Sequence, residues 1–178
     1  MKRHIFVGCF TCLFGFSAFV HAQAKPAAER VGTLQIGVGG TIVSPDYAAT
    51  KDKGPTFYAT YDLTSRIGIE GDIHFTSIIA PDDVGQDTFL IGPRYVINHR
   101  RFAPYAKVLF GLGQLNLQFD TSPHTKTSYF AYALGAGLDF KVTRSINVRV
   151  FDFEYQQWSY EHGLNPLAAT IGVAYAFH

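Results

Sequence analysis

The stretch IGIEGDIHFT, residues 67–76, decides the fold. Ile67, Ile69, Gly71, Ile73 and Phe75 alternate with Gly68, Glu70, Asp72, His74 and Thr76. Because successive side chains of a β-strand point to opposite faces, one face carries the large apolar groups and the other carries three titratable ones. Such a strand must lie between an apolar medium and a polar one.

The same period recurs along the chain. In residues 33–43, Leu34, Ile36, Val38 and Ile42 oppose Gln35, Gly37, Gly39 and Thr41; in 57–63, Phe57, Ala59, Tyr61 and Leu63 oppose Tyr58, Thr60 and Asp62. Residues 87–97 set Phe89, Ile91, Pro93 and Tyr95 against Leu90, Gly92 and Arg94, although Pro93 cannot donate to a ladder. Residues 103–113 set Pro104, Ala106, Val108, Phe110 and Leu112 against Tyr105, Lys107, Leu109, Gly111 and Gly113. In 130–141 the apolar set runs from Phe130 to Phe140 opposite Ala131, Ala133, Gly135, Gly137, Asp139 and Lys141, and in 167–177 it runs from Leu167 to Phe177 opposite small residues.

The strand at 146–155 breaks phase. Ile146, Val148 and Val150 face the apolar side and Arg149 the polar one, but strict continuation would send Asp152 and Glu154 to the apolar side. A bulge near residues 150–152 is expected to restore both acids to the polar face. A simpler alternative places them beyond the membrane, at the outer strand end.

Eight strands result, joined by connections that alternate in length. Residues 64–66, 98–101 and 143–145 are tight; residues 44–55, 77–86, 118–127 and 156–166 are longer and polar. Short inner turns, longer outer loops and an even number of strands of about ten residues describe an outer-membrane barrel. The fold class expected is therefore all-β, an eight-stranded antiparallel up-and-down transmembrane β-barrel. Closure is required, since an unpaired backbone amide in hydrocarbon costs several kcal/mol.

A water-soluble eight-stranded barrel shares the period with reversed polarity. The polar face here distinguishes the two. It combines glycines (Gly37, Gly39, Gly68, Gly92, Gly111, Gly135, Gly137, Gly172) with the charges Glu70, Asp72, Arg94, Lys107, Asp139, Lys141 and Arg149. Small residues beside a few large polar ones suit a narrow lumen, whereas a solvated surface has no use for so many strand-weakening glycines. The other face gathers aromatics toward its ends: Tyr61, Tyr95, Phe140, Tyr175 and Phe177 at one, Phe57, Phe75, Phe89 and Phe130 at the other. These are the expected interfacial girdles.

With those residues in view, the chain resembles the OmpA-like outer-membrane β-barrel superfamily, through FLIGPRY (89–95), FAPYAKVLFG (102–111) and FAYALGAGLDFKV (130–142). The resemblance implies a small, porin-like barrel domain in the cell outer membrane, with the lipid bilayer, lipopolysaccharide and the barrel-assembly machinery as partners. It also implies a C-terminal aromatic assembly signal, for which Tyr175 and Phe177 stand, His178 following. No peptidoglycan-binding domain is expected after it.

The N-terminus reads as a signal peptide over residues 1–22: basic Lys2, Arg3 and His4, an apolar run from Ile5, and a small-residue exit at Ala22. Residues 23–32 then form a short periplasmic leader and 33–178 the barrel domain. An uncleaved anchor and a lipoprotein processed at Cys9 fit the segment less well. Both cysteines, Cys9 and Cys12, fall within it, so the remaining 156 of 178 residues carry no thiol or Cys-ligated metal. Without Lys2 and Arg3, 13 basic residues face 14 acidic ones, a net charge of −1 that speaks against nucleic-acid binding. No nucleotide loop, metal signature or heme motif stands out, so no cofactor is expected.

The interior charges carry the functional expectations. Buried charges persist when paired and hydrogen-bonded, so Glu70, Asp72 and Asp139 should meet Arg94, Lys107, Lys141 and Arg149 across the lumen. The result is a largely plugged, monomeric, non-enzymatic barrel of structural or porin-like function; the alternative is that the pairs exchange partners and open an ion path. A second reading is surface binding through outer loops holding Asp46, Tyr47, Lys51, Asp52, Lys53, Asp82, Asp83, Asp120, Lys126 and Trp158. A third is a lipid A-modifying enzyme built on His74 with Thr76 and Ser77 nearby; His162 does not match that pattern.

Overall fold

The computed structural model describes residues 32–46, 50–78, 84–117, 125–159 and 163–177. Residues 1–31, and with them the expected signal peptide and most of the leader, lie outside these, as do Tyr47, Asp82, Asp83, Asp120, His162 and His178.

Eight strands, β1 (Leu34–Ser44), β2 (Asp52–Asp62), β3 (Ile67–Phe75), β4 (Val84–Val96), β5 (Phe102–Leu117), β6 (Thr125–Lys141), β7 (Ile146–Trp158) and β8 (Leu167–Phe177), pair antiparallel in chain order. The barrel closes through β1 on β8, from Leu34 opposite Phe177 to Ser44 opposite Leu167. Closure leaves no edge strand, which a bilayer demands.

The polarity is inverted relative to a soluble protein. Ile36, Ile69, Phe110, Leu134 and Ile171 stand exposed on the outer face, while Glu70, Asp72, His74, Lys107 and Arg149 are each at most 3% exposed. Outward aromatics meet one another: Phe75 lies edge-on to Phe57 and Phe89 at the outer end, and Tyr175 to Phe177 at the other. Edge-to-face pairs at such separations add about 0.5–1.5 kcal/mol to area burial.

Two of the tight turns share one device. Thr64 Oγ1 accepts from the backbone N–H of Arg66 and Ile67, and Thr143 Oγ1 accepts from those of Ser145 and Ile146. A threonine opening the turn thereby satisfies donors that the ladder has released. In the third turn Arg100 has φ +54°, and His99 and Phe102 exchange both backbone hydrogen bonds around it.

The bulge in β7 is present. Register shifts between Arg149 and Asp152 against β8, and Val150 and Phe151 both face outward, so Asp152 and Glu154 return to the interior. The acids are therefore not beyond the strand's outer end. Pro93 leaves the register intact: Ile91 pairs with Phe110 and Arg94 with Lys107 in the same alignment, while Pro93 sits opposite Ile69 on β3.

Strands β2, β4, β5, β6 and β7 extend further outward than hydropathy indicates. Asp52, Lys53, Lys126 and Trp158, expected in loops, belong to strands; Asp52 and Trp158 are buried in the interior. Apolar alternation ends where the hydrocarbon ends, but the backbone ladder continues for several residues beyond it.

Candidate functional site

Six strands contribute to one charged cluster at mid-barrel. Lys107 Nζ, from β5, lies 2.9 Å from Glu70, 2.6 Å from Asp72, 2.5 Å from Asp152 and 2.7 Å from Glu154. Arg94, from β4, contacts Glu70 at 2.9 Å and Asp139 at 2.5 Å. Arg149, from β7, reaches Glu70 at 3.0 Å, Asp152 at 3.1 Å and Asp139 at 3.5 Å. The guanidiniums also lie over aromatic faces, Arg94 at 3.8 Å from the centre of Tyr105 and Arg149 at 3.7 Å from that of Tyr58. Each cation is thus held by both anions and a π-face, which offsets the cost of removing it from water.

Glycine makes this packing possible. A Cβ on Gly137 would stand 2.5 Å from Tyr105 Oη, one on Gly135 2.7 Å from Lys107 Cε, and one on Gly37 would run into the Tyr58 ring. Each of these glycines is the seat of a large interior side chain on a neighbouring strand.

Polar layers flank the cluster. Toward the outer end, His74 Nε2 lies 3.3 Å from Glu154, and His74 Nδ1 is 2.9 Å from Thr56 Oγ1 and 3.2 Å from Thr41 Oγ1. Trp158 Nε1 donates to Gln156, whose Nε2 donates to Glu154. Trp158 packs with Leu90, Leu109, Ala131 and Ala133 as a buried apolar layer. Beside it, Asn116 and Ser77 donate to Asp87. Toward the inner end, Gln35 donates to Asp62 and receives from Asn147.

Of the seven charged residues expected in the lumen, Glu70, Asp72, Arg94, Lys107, Asp139 and Arg149 come together. Lys141 stands at the inner rim, where its Nζ donates to Asn98 Oδ1 at 2.6 Å. Asp152 and Glu154 join the cluster through the bulge. Tyr58 and Tyr105 are components that alternation places inside without revealing their stacking.

Ser77 Oγ donates to Asp87, and the contacts of His74 are threonines and Glu154, so a Ser–His–acid relay is not assembled here. Asp72, His74 and Glu154, and likewise Glu70, Asp72 and Asp152, have ligand atoms within 4.8 Å of one another. Lys107 Nζ already touches four of those carboxylates, placing an ammonium where a metal cation would go.

A closed eight-stranded barrel with lipid-facing grease and interior charge agrees with a family model described as "Outer membrane protein beta-barrel domain", which matches residues 10–177. The chain belongs to that family. As an outer membrane protein beta-barrel domain, it lies in the cell outer membrane and crosses the bilayer with its strands. Solved structures similar to it include OprG from Pseudomonas aeruginosa (14% identity, 84% of this chain and 97% of that one, TM-score 0.60). Ail, the attachment invasion locus protein of Yersinia pestis, in complex with the heparin analogue sucrose octasulfate, gives 20% identity, 83% and 99% coverage and a TM-score of 0.57. The N-terminal β-barrel domain of Pseudomonas aeruginosa OprF gives 16%, 83%, 98% and 0.55. At such identities the likeness concerns the fold. A comparison with curated protein sequences finds no match.

Proposed function

We propose that this protein is a structural, monomeric, non-enzymatic barrel whose lumen is plugged by its own charge network. The supporting observation is the contact of Lys107 with four carboxylates at 2.5–2.9 Å from two other strands, β3 and β7, all of them buried. An eight-stranded barrel has an interior just wide enough for side chains, so a cross-lumen cluster of this size leaves little room for a water path. Its work is then in the envelope: a stable wall element set among phospholipid and lipopolysaccharide, delivered by the barrel-assembly machinery through Tyr175 and Phe177.

Planar-bilayer recording tests the plug. The wild-type barrel should pass near-zero current, and Glu70→Gln should open brief conducting states by loosening Arg94, Lys107 and Arg149 together. A steady wild-type channel would instead favour a porin.

A second reading rests on β5 and β6, which run 16 and 17 residues. A transmembrane strand needs about 9–11, so both project outward as a rigid hairpin stem suited to surface recognition. Binding of the wild-type barrel to immobilised host matrix, lost when that hairpin is shortened, would support this reading. An enzymatic reading would require loss of acyl chains from purified lipid A.

A further inference from the structure

The lipid-facing wall is not uniformly covered. Around Gly40 it opens into an apolar groove of about 570 Å³, within the range of about 300–1,000 Å³ typical of ligand clefts. The cause is sequence and register. Gly40 faces outward between Pro55 of β2 and Ile171 of β8, and a Cβ built on it meets nothing within 4 Å. One position further out, Ala169 lies between Ile42 and Phe153. Glycine and alanine thus form a low floor, and Ile42, Pro55, Ile171 and Phe153 stand around it. The β7 bulge deepens the groove, because Val150 and Phe151 both turn outward and Phe151 joins its wall.

At the groove's outer end the chemistry changes. Lys53 is paired in register with Ile42, lines the same groove and is exposed. Lys51, two residues earlier, is exposed as well. Among the described residues neither forms an ion pair, unlike the lumen cations. Strand β2 starts at the end of a long outer connection, so Lys53 stands at the outer end of a slot of acyl-chain character, with Lys51 close by in sequence.

We propose that this groove is a binding site for a phosphorylated outer-leaflet lipid, with one acyl chain lying over Gly40 and a headgroup phosphate held by Lys53, assisted by Lys51. An apolar chain gains by leaving the disordered lipid for a slot lined on several sides. The phosphate gains a charge-assisted contact at the interface, where screening is weaker than in bulk water.

The test uses the folded full-length barrel and bisphosphorylated lipid A as probe. The barrel is reconstituted in phosphatidylcholine containing lipid A, extracted gently, and its retained lipid is read by native mass spectrometry. The expected result is one lipid A per barrel, with at least fivefold less retention of the dephosphorylated form. Lys53→Gln should lose the preference for the phosphorylated form. Gly40→Leu, which fills the slot with a side chain compatible with lipid, should abolish retention while keeping the heat-dependent gel shift of a folded barrel. Equal retention of both lipids, or retention unaffected by Gly40→Leu in a folded barrel, overturns the proposal. Neither outcome bears on whether the lumen is sealed.

Discussion

Lys107 and Glu154 meet 2.7 Å apart inside the barrel because β7 carries one extra residue before the acid. Without a bulge to absorb it, strict alternation would turn Glu154 and Asp152 toward lipid. The bulge is therefore tied to the charge balance of the lumen: it adds two of the five carboxylates that surround Lys107, Arg94 and Arg149.

Deleting Val150 and Phe151 together should prevent folding. The double deletion would place Asp152 directly after inward-facing Arg149, so strict alternation sends Asp152 and Glu154 into hydrocarbon or else shifts the β7–β8 register by one. Refolding into phosphatidylcholine vesicles, followed by the gel-mobility difference between boiled and unboiled samples, should show the folded band lost. Deleting Val150 alone, which removes the bulge but leaves Asp152 and Glu154 facing the lumen, should retain it.

Removing the ammonium at the centre should cost more than removing one anion. Lys107→Met leaves four buried carboxylates without their shared cation, and breaking a buried pair from one side costs about 3–5 kcal/mol. Urea titration of the barrel in vesicles should show that loss. Adding Asp152→Asn and Glu154→Gln to the same chain should recover part of it, because the uncompensated charge is then smaller.

Interior glycines should be intolerant where they seat a ring and tolerant where they face open space. A Cβ on Gly113 would come within 2.5 Å of the Trp158 ring, so Gly113→Val forces that buried ring to move at a cost of about 1–3 kcal/mol. Gly40→Ala, on the lipid face, should change urea stability by less than about 0.5 kcal/mol. Equal effects of the two substitutions would contradict the assignment of faces.

Much of this arrangement could be read in the sequence because a bilayer imposes period two without exception over the hydrophobic thickness. The stretch from Ile67 to Thr76 already separates lipid-facing from lumen-facing groups, and the phase error at Asp152 and Glu154 marks the bulge. Outer strand ends are less legible: beyond the hydrocarbon both faces are polar, so Asp52, Lys53, Lys126 and Trp158 look like loop residues although the ladder holds them. The partners within the lumen were not legible either. Alternation assigns a side, whereas the meeting of Arg94 with Asp139, or the placing of Lys141 at the rim beside Asn98, depends on barrel tilt and side-chain reach.

Trp158 offers the most direct measurement, since it is the chain's one tryptophan. It is 1% exposed, inside the lumen rather than against lipid. In vesicles its fluorescence should resist both acrylamide in the water and bromine on the lipid chains, as befits a sealed interior. Strong quenching by acrylamide would reveal a wet, open lumen, and strong quenching by brominated lipid would turn the barrel inside out; either result contradicts the account.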